Sequence, residues 1–229
     1  PDTTCGGMKG RSTDMAIHIA RLLQDRARSR KRPHAALFLD VVGAFHNLNR
    51  AMTVGSIDGR GGLCNLLAAT GEMDLDEHTA TMLAEGHKHT WMSVQGQEDI
   101  LSTNQGSRPG DPLGDATWIA LMSKILRTIK ERLKQAGIFE EIPYDHAKGW
   151  FAEGPAGADA VVEVEGVPFI DDLINFISAD NAEKLIVKVQ QSFQVIEKCF
   201  HEHGLRLNWK DGKSEVVLSM LDENAKREI

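Results

Sequence analysis

Residues 161–177 read VVEVEGVPFIDDLINFI: two apolar runs, Val161 to Ile170 and Leu173 to Ile177, joined at Asp171 and Asp172. Such a pattern predicts a strand hairpin with acids at its tip. Asp-Asp is also an ordinary turn former, and spacing alone favours that plainer role. A further short apolar run, Ala35 to Leu39, follows Pro33 and ends on Asp40. Its length and unbroken hydrophobicity predict a buried central strand with a charge at its terminus. Ionised carboxylates cost several kcal/mol to bury unpaired, so three of them at strand ends need partners. Divalent cations, which prefer carboxylate oxygens, are one kind of partner.

Outward from these strands the chain alternates. Ser12, Thr13 and Asp14 supply helix-starting oxygens, and Ala16, Ile19, Ala20 and Leu23 follow at helical spacing until a basic cluster and Pro33. Asp74 to Glu85 predicts a second helix, and Trp91–Val94 with Ile100–Thr103 a hairpin around Gly96. From Asp111, the residues Trp118, Met122, Ile125, Ile129 and Leu133 make a long amphipathic helix that runs to Gly137. Pro143, Gly149, Gly154, Pro155 and Gly157 mark 138–158 as an irregular insertion. Asp180 then opens a helix carrying Leu185, Val189, Phe193, Ile196 and Phe200 on one face and closed by Gly204. Leu205–Asn208 and Val216–Met220 read as late strands. This order suits an α+β fold: an antiparallel sheet of split βαβ (ferredoxin-like) type covered on one face by helices.

The 229 residues are 41% hydrophobic and 26% charged, the balance of a globular chain of one large or two small domains. No apolar run reaches the roughly 18 residues that span a bilayer, so no membrane partner is expected. Cys5, Cys64 and Cys199 are odd in number and widely spread, which suits a reducing, intracellular compartment; nuclear and cytoplasmic sites are not separated. Pro1 in place of Met suggests a piece of a longer chain. Net charge of −7 argues against nucleic-acid binding over the whole surface. Arg26, Arg28, Arg30, Lys31 and Arg32 nevertheless make a local positive edge, or simply a solvated helix end. Cys199, His201 and His203, and separately His87 and His89, do not form a convincing zinc set. Trp118 falls on an apolar helix stripe and reads as core, whereas Trp150 is better placed to stack on a base.

Four blocks, in order, resemble the reverse transcriptases, particularly those of non-LTR retrotransposons and group II introns. Phe38-Leu39-Asp40-Val41-Val42-Gly43-Ala44-Phe45 is similar to the block that bears the family's first metal-binding aspartate. Gly106 to Leu113 is similar to the GxRQGDPL block, and Phe169-Ile170-Asp171-Asp172-Leu173 to the (Y/F)xDDL signature. Gly204-Leu205-Arg206-Leu207-Asn208, with Lys213 and Glu215, resembles the family's GLxLN block, and Gly10 to Ala16 a fingers segment. Pro109 departs from the pattern, standing where the family usually has a Gln that meets the nucleotide.

The resemblance implies a partial fingers segment over 1–34 and a palm domain over 35–229, with the N-terminal fingers hairpin and the thumb absent. It implies RNA-directed DNA polymerase activity: nucleotidyl transfer from a dNTP to a primer 3′-hydroxyl on an RNA or DNA template. Two Mg²⁺ ions, or Mn²⁺ in their place, would bind Asp40, Asp171 and Asp172 with the backbone carbonyl of Val41. Ala44, Phe45, Pro109, Gly110 and Lys213 are the implied nucleotide-binding residues, with Phe45 excluding a 2′-hydroxyl. Lys9, Arg11 and Arg108 are the implied nucleic-acid contacts. Other domains of a retroelement polyprotein are the expected covalent partners. The alternative is a catalytically inactive relic of the palm fold that binds nucleic acid or protein.

Overall fold

The computed structural model describes residues 12–50, 76–87, 90–103, 105–107, 112–144, 160–164, 166–169 and 172–220. The chain divides into two compact units. One gathers Pro1–Asp40, Leu126–Cys199 and Leu207–Ile229, and the other Val41–Ile125 with Phe200–Arg206. Helices and antiparallel strands are mixed, an α+β composition.

The first unit is built on a four-stranded antiparallel sheet. Its strands are β1 (His34–Leu39), β6 (Val167–Phe169), β7 (Asp172–Ser178) and β8 (Glu215–Ser219), in the order β6-β7-β1-β8. β1 pairs β7 from His34↔Ser178 to Leu39↔Leu173, and β8 on its other side from His34↔Ser219 to Phe38↔Glu215. β7 has Asp172 as its first residue, opposite Phe169, so this acid lies on the strand and not in the hairpin tip where it was expected.

Helices cover β7 on both faces, which corrects the expectation of one. Helix α1 (Thr13–Ser29) packs Leu23 and Ala27 against Phe176. Leu173 and Asn175, which point to the opposite face, share a small cavity with Leu126, Ile129 and Leu133 of α3 (Pro112–Gln135) and Ile196 of α4 (Ala182–Glu202). The two strands are shielded accordingly: successive residues of β1, and of β7 from Leu173 on, are buried or half-buried, as in strands covered on both faces.

Three helices end in the same hydrogen-bonded closure. After α3, Gly137 N–H meets Lys134 C=O and Ile138 N–H meets Leu133 C=O; after α4, Gly204 and Leu205 do the same with His201 and Phe200. Both glycines have positive φ, 66° and 75°. After α1 the bonds run from Lys31 to Arg28 and from Arg32 to Ala27, and the left-handed position is held by Lys31 at φ 51°. An L side chain there costs about 1–2 kcal/mol relative to the right-handed region.

Two further differences concern the middle of the chain. Glu141–Tyr144, inside the expected irregular insertion, is a strand (β4) that pairs antiparallel with β5, Ala160–Glu163. Pro143 pairs with Val161 in this ribbon, where every strand is an edge and a missing N–H is tolerated. The run read as one strand from Val161 breaks before β6, and a Cβ on Gly166 would lie 2.7 Å from Leu173 Cδ1. Leu205–Asn208, read as a strand, carries a single bridge residue, Leu207.

The second unit holds α2 (Glu77–Gly86), capped by Asp76, whose Oδ1 accepts the Thr79 N–H at 2.7 Å. It also holds the expected hairpin, β2 (Trp91–Ser93) with β3 (Ile100–Ser102), and the first half of α3 with buried Trp118, Leu121, Met122 and Ile125.

Candidate active site

In the sheet unit, Asp40 follows directly on β1, and both its backbone and its side chain are held by one turn, residues 208–214. Asn208 N–H donates to the Asp40 carbonyl at 2.8 Å, and Asp40 N–H donates to Ser214 Oγ at 3.1 Å. Asn208 Nδ2 donates to Asp40 Oδ2 at 2.7 Å, and Lys213 Nζ stands 3.8 Å from Oδ1. Gly212, at φ 74°, allows the tight return that brings Lys213 and Ser214 back to Asp40. The Asp40 side chain is 21% exposed, so the partial desolvation of its charge is offset by an amide and an ammonium.

Asp172 sits one position before the Leu39↔Leu173 pair, at the same end of the sheet, and is exposed. Asp40 and Asp172 line one cleft of about 320 Å³ together with Thr13, Ala16 and Ile17 of α1, Phe38, Val167, Ile174 and Lys213. The acids at the ends of two paired strands therefore share an accessible space. Carboxylate oxygens are the hard donors that Mg²⁺ and Mn²⁺ take, so the chemistry of the pair fits such an ion. Asp171, the third acid, lies outside the described residues. Among the described residues, no group of three or more His, Cys, Asp or Glu could hold a metal ion.

In the second unit, Val41 and Ala44 are buried, and the Phe45 ring is half-buried at 5.5 Å from the ring of Trp118. Phe45 is therefore fixed by core packing on one side. Ser107 N–H donates to the Phe45 carbonyl at 2.7 Å, and Gly106 N–H to the Leu48 carbonyl at 2.8 Å. A Cβ on Gly106 would lie 2.6 Å from the His46 carbonyl oxygen, so this approach demands glycine. The segment 105–107 leads into Arg108, Pro109 and Gly110, which lie outside the described residues, as do Lys9 and Arg11.

Arg50 carries no role in the sequence reading, yet it ties this unit together. Its buried guanidinium donates to the carbonyls of Gly106 (2.6 Å), Thr103 (2.8 Å) and His87 (3.3 Å) and to the hydroxyl of Thr90. Burial lowers its pKa from the usual arginine range. These partners are 37 to 56 residues distant, and no local pattern signals them.

Cys199 and His203 are buried, His201 is exposed, and His89 lies outside the described residues. Trp118 is fully buried, as its helical stripe predicts, and Trp150 is not described. Among the described residues, no helix is long and apolar enough to cross a membrane. No family model matches the sequence, and no curated protein matches it.

Proposed function

We propose that this chain is the palm-type core of an RNA-directed DNA polymerase. The observation that carries the reading is the convergence of Asp40 and Asp172, from the ends of two paired strands, on one cleft. The sheet supports it: numbered along the chain, the four strands lie in the order 2-3-1-4 and run antiparallel, the arrangement of a split βαβ unit. Asp40 and Asp172, with Asp171, are the residues that would hold Mg²⁺. When bound, the ions would lower the pKa of a primer 3′-hydroxyl and stabilise the leaving pyrophosphate.

The chain's own residues have defined parts in this reading. Asn208 and Ser214 fix the rotamer and backbone of Asp40, so the carboxylate is pre-positioned. Lys213 places a cation at the rim of the cleft, where it offsets phosphate charge. Phe45, backed by Trp118, is the group assigned to selecting a dNTP over an NTP.

One observation favours the second reading, a non-catalytic palm-fold module that binds nucleic acid or protein: Asn208 and Lys213 already meet the Asp40 carboxylate. Primer extension by the 229-residue chain on RNA and DNA templates, with dNTP or NTP and Mg²⁺ or Mn²⁺, separates the two. Extension with dNTP should fall about a thousandfold or more in Asp40→Asn and Asp172→Asn, since the ions supply several kcal/mol and each 1.4 is tenfold. Activity that survives either substitution overturns the site. Oligonucleotide binding without extension, and without Mn²⁺ binding by electron paramagnetic resonance, supports the second reading.

A further inference from the structure

Five cations fall within residues 26–32, on a chain whose net charge is −7. The fold employs two of them internally. Arg26 is buried and donates to the Pro143 carbonyl at 3.3 Å, while Arg32 donates to the Ala179 carbonyl at 3.4 Å and meets Asp180 at 3.3 Å. The other three stand differently. Arg28 is 3.8 Å from Asp25, both side chains more than 60% exposed, a pair of little strength. The side chains of Arg30 and Lys31 have no hydrogen-bond or ion-pair partner among the described residues, and Nη2 of Arg30 is buried without an acceptor.

Two independent features point outward from this cluster. Lys31 occupies the left-handed closing position that Gly137 and Gly204 occupy after the other two helices. A strained lysine is thus kept where glycine would relieve the backbone, and what it adds is an ammonium. The second feature is the buried Nη2 of Arg30, which has no acceptor and belongs to a residue that lines a small cleft (≈ 20 Å³) with Arg26, Arg32, Glu140, Glu141 and Ser178; Arg28 and Lys31 stand outside that cleft. Glu140 is already engaged, accepting the Ser178 N–H at 3.1 Å and pairing its other oxygen with the Ser178 hydroxyl at 2.5 Å. Burial lowers the pKa of Arg26 to about 10, with repulsion from Arg30 and Arg32 adding to it and Glu140 opposing it.

We propose that Arg28, Arg30 and Lys31 make a basic patch at the C-terminal end of α1, and that its ligand is the phosphodiester backbone of a nucleic acid. The proposal rests on the nucleic-acid reading of the chain, but it concerns the other end of β1. Six residues separate this end from Asp40, about 20 Å at strand rise, or roughly six nucleotides of a duplex strand. Exposed cations with weak or no protein partners give affinity without sequence preference, because phosphates carry no sequence information.

The test is fluorescence anisotropy of the 229-residue chain with labelled single-stranded RNA and DNA 20-mers over a range of salt. Each lost phosphate contact should reduce the slope of log K against log salt by about 0.7. In Arg28→Gln/Arg30→Gln/Lys31→Gly the slope should fall by about 2, and affinity at low salt by about tenfold or more. Lys31→Gly alone should lower the slope by about 0.7 while raising the melting temperature, which no misfolding could mimic. Unchanged slope and affinity in both variants overturn the proposal. Stabilisation of wild type, but not of the triple variant, by inorganic phosphate at matched ionic strength, with oligonucleotide slopes unaltered, assigns the site to free phosphate and overturns the backbone ligand. If the slopes fall as expected but extension survives Asp40→Asn, only the catalytic reading fails; if slopes stay flat while Asp172→Asn abolishes extension, only this one does.

Discussion

The two ends of β1 carry opposite charge and manage it by opposite means. At the Leu39 end, Asp40 is met by Asn208 and Lys213 from a single turn, and its backbone N–H is held by Ser214 of the same turn. At the His34 end, Arg26, Arg30 and Arg32 line one cleft, and burial, with repulsion from Arg30 and Arg32 added to it, lowers the proton affinity of Arg26. Relief there comes from backbone carbonyls, from the buried carboxylate of Glu140 and, for Arg32, from exposed Asp180. A charge that must stay in one geometry is held by several short-range donors, and a charge left with few partners is available to a ligand. The difference predicts that the acidic end is rigid and the basic end is strained.

Glu140 is the largest lever on this contrast. It is buried, it bonds both Ser178 groups, Lys188 Nζ lies 4.0 Å away, and its charge raises the proton affinity of Arg26. Glu140→Ala removes a buried partner and leaves buried cationic and polar groups uncompensated, an expected loss of about 3–5 kcal/mol in urea unfolding. Glu140→Gln keeps one acceptor oxygen for the Ser178 N–H and replaces the other with an amide donor that the Ser178 hydroxyl oxygen can accept from, so the gap between the two variants measures what hydrogen bonding contributes once the charge is gone. A loss below about 1 kcal/mol in Glu140→Ala would mean that the basic end is not strained, and the contrast would fail.

At the acidic end the corresponding variant is Asn208→Ala. It deletes the 2.7 Å bond to Asp40 Oδ2, and hydrogen bonds to a charged group contribute about 1.5–3 kcal/mol. Asn208→Ala should therefore cost about 2 kcal/mol in the same measurement, less than Glu140→Ala because Lys213 remains. If the two losses come out in reverse order, the acidic end bears the greater strain.

Much of the sheet could be read from residues alone, because its strands are short, apolar and punctuated. β1 and the position of Asp40 follow from Pro33 and the run that ends at Leu39, and Gly137 and Gly204 mark two helix ends. What escaped was set by distance or by context. The strand at Glu141–Tyr144 was hidden by Pro143, which is harmless in a two-stranded ribbon. The cap of α4 is Asn181, which accepts the Lys184 N–H at 2.9 Å, while Asp180 pairs with Arg32 and Lys184 instead. Both side chains suit a cap, and only tertiary partners decide between them. The grip of Asn208 and Ser214 on Asp40 spans 168 and 174 residues, and the reach of Arg50 is also long-range. A lysine in the left-handed region, as at Lys31, has no signature in composition at all.

The smallest effect belongs to His34, and it sharpens the contrast through pH. The ring is buried, stacks on Phe176 at 5.7 Å, and its Nδ1 lies 3.2 Å from the Arg32 carbonyl, which accepts from it. Burial lowers its pKa below the usual histidine value, and the positive charge of Arg28 adds to this, against the hydrogen bond to Arg32. A folded-state pKa below the unfolded one means that the unfolded chain binds the proton more tightly. Stability is then complete above the unfolded value of about 6.5 and is lost as pH falls from there towards the folded value, by at most about 1.4 kcal/mol per pH unit. His34→Gln removes this titration while the remaining histidines stay in place. Urea unfolding at pH 7.5 and 5.5 should show a smaller drop in the variant than in wild type. An equal drop in both would place the pH sensitivity elsewhere and leave the strain of the basic end to Glu140 and the arginines alone.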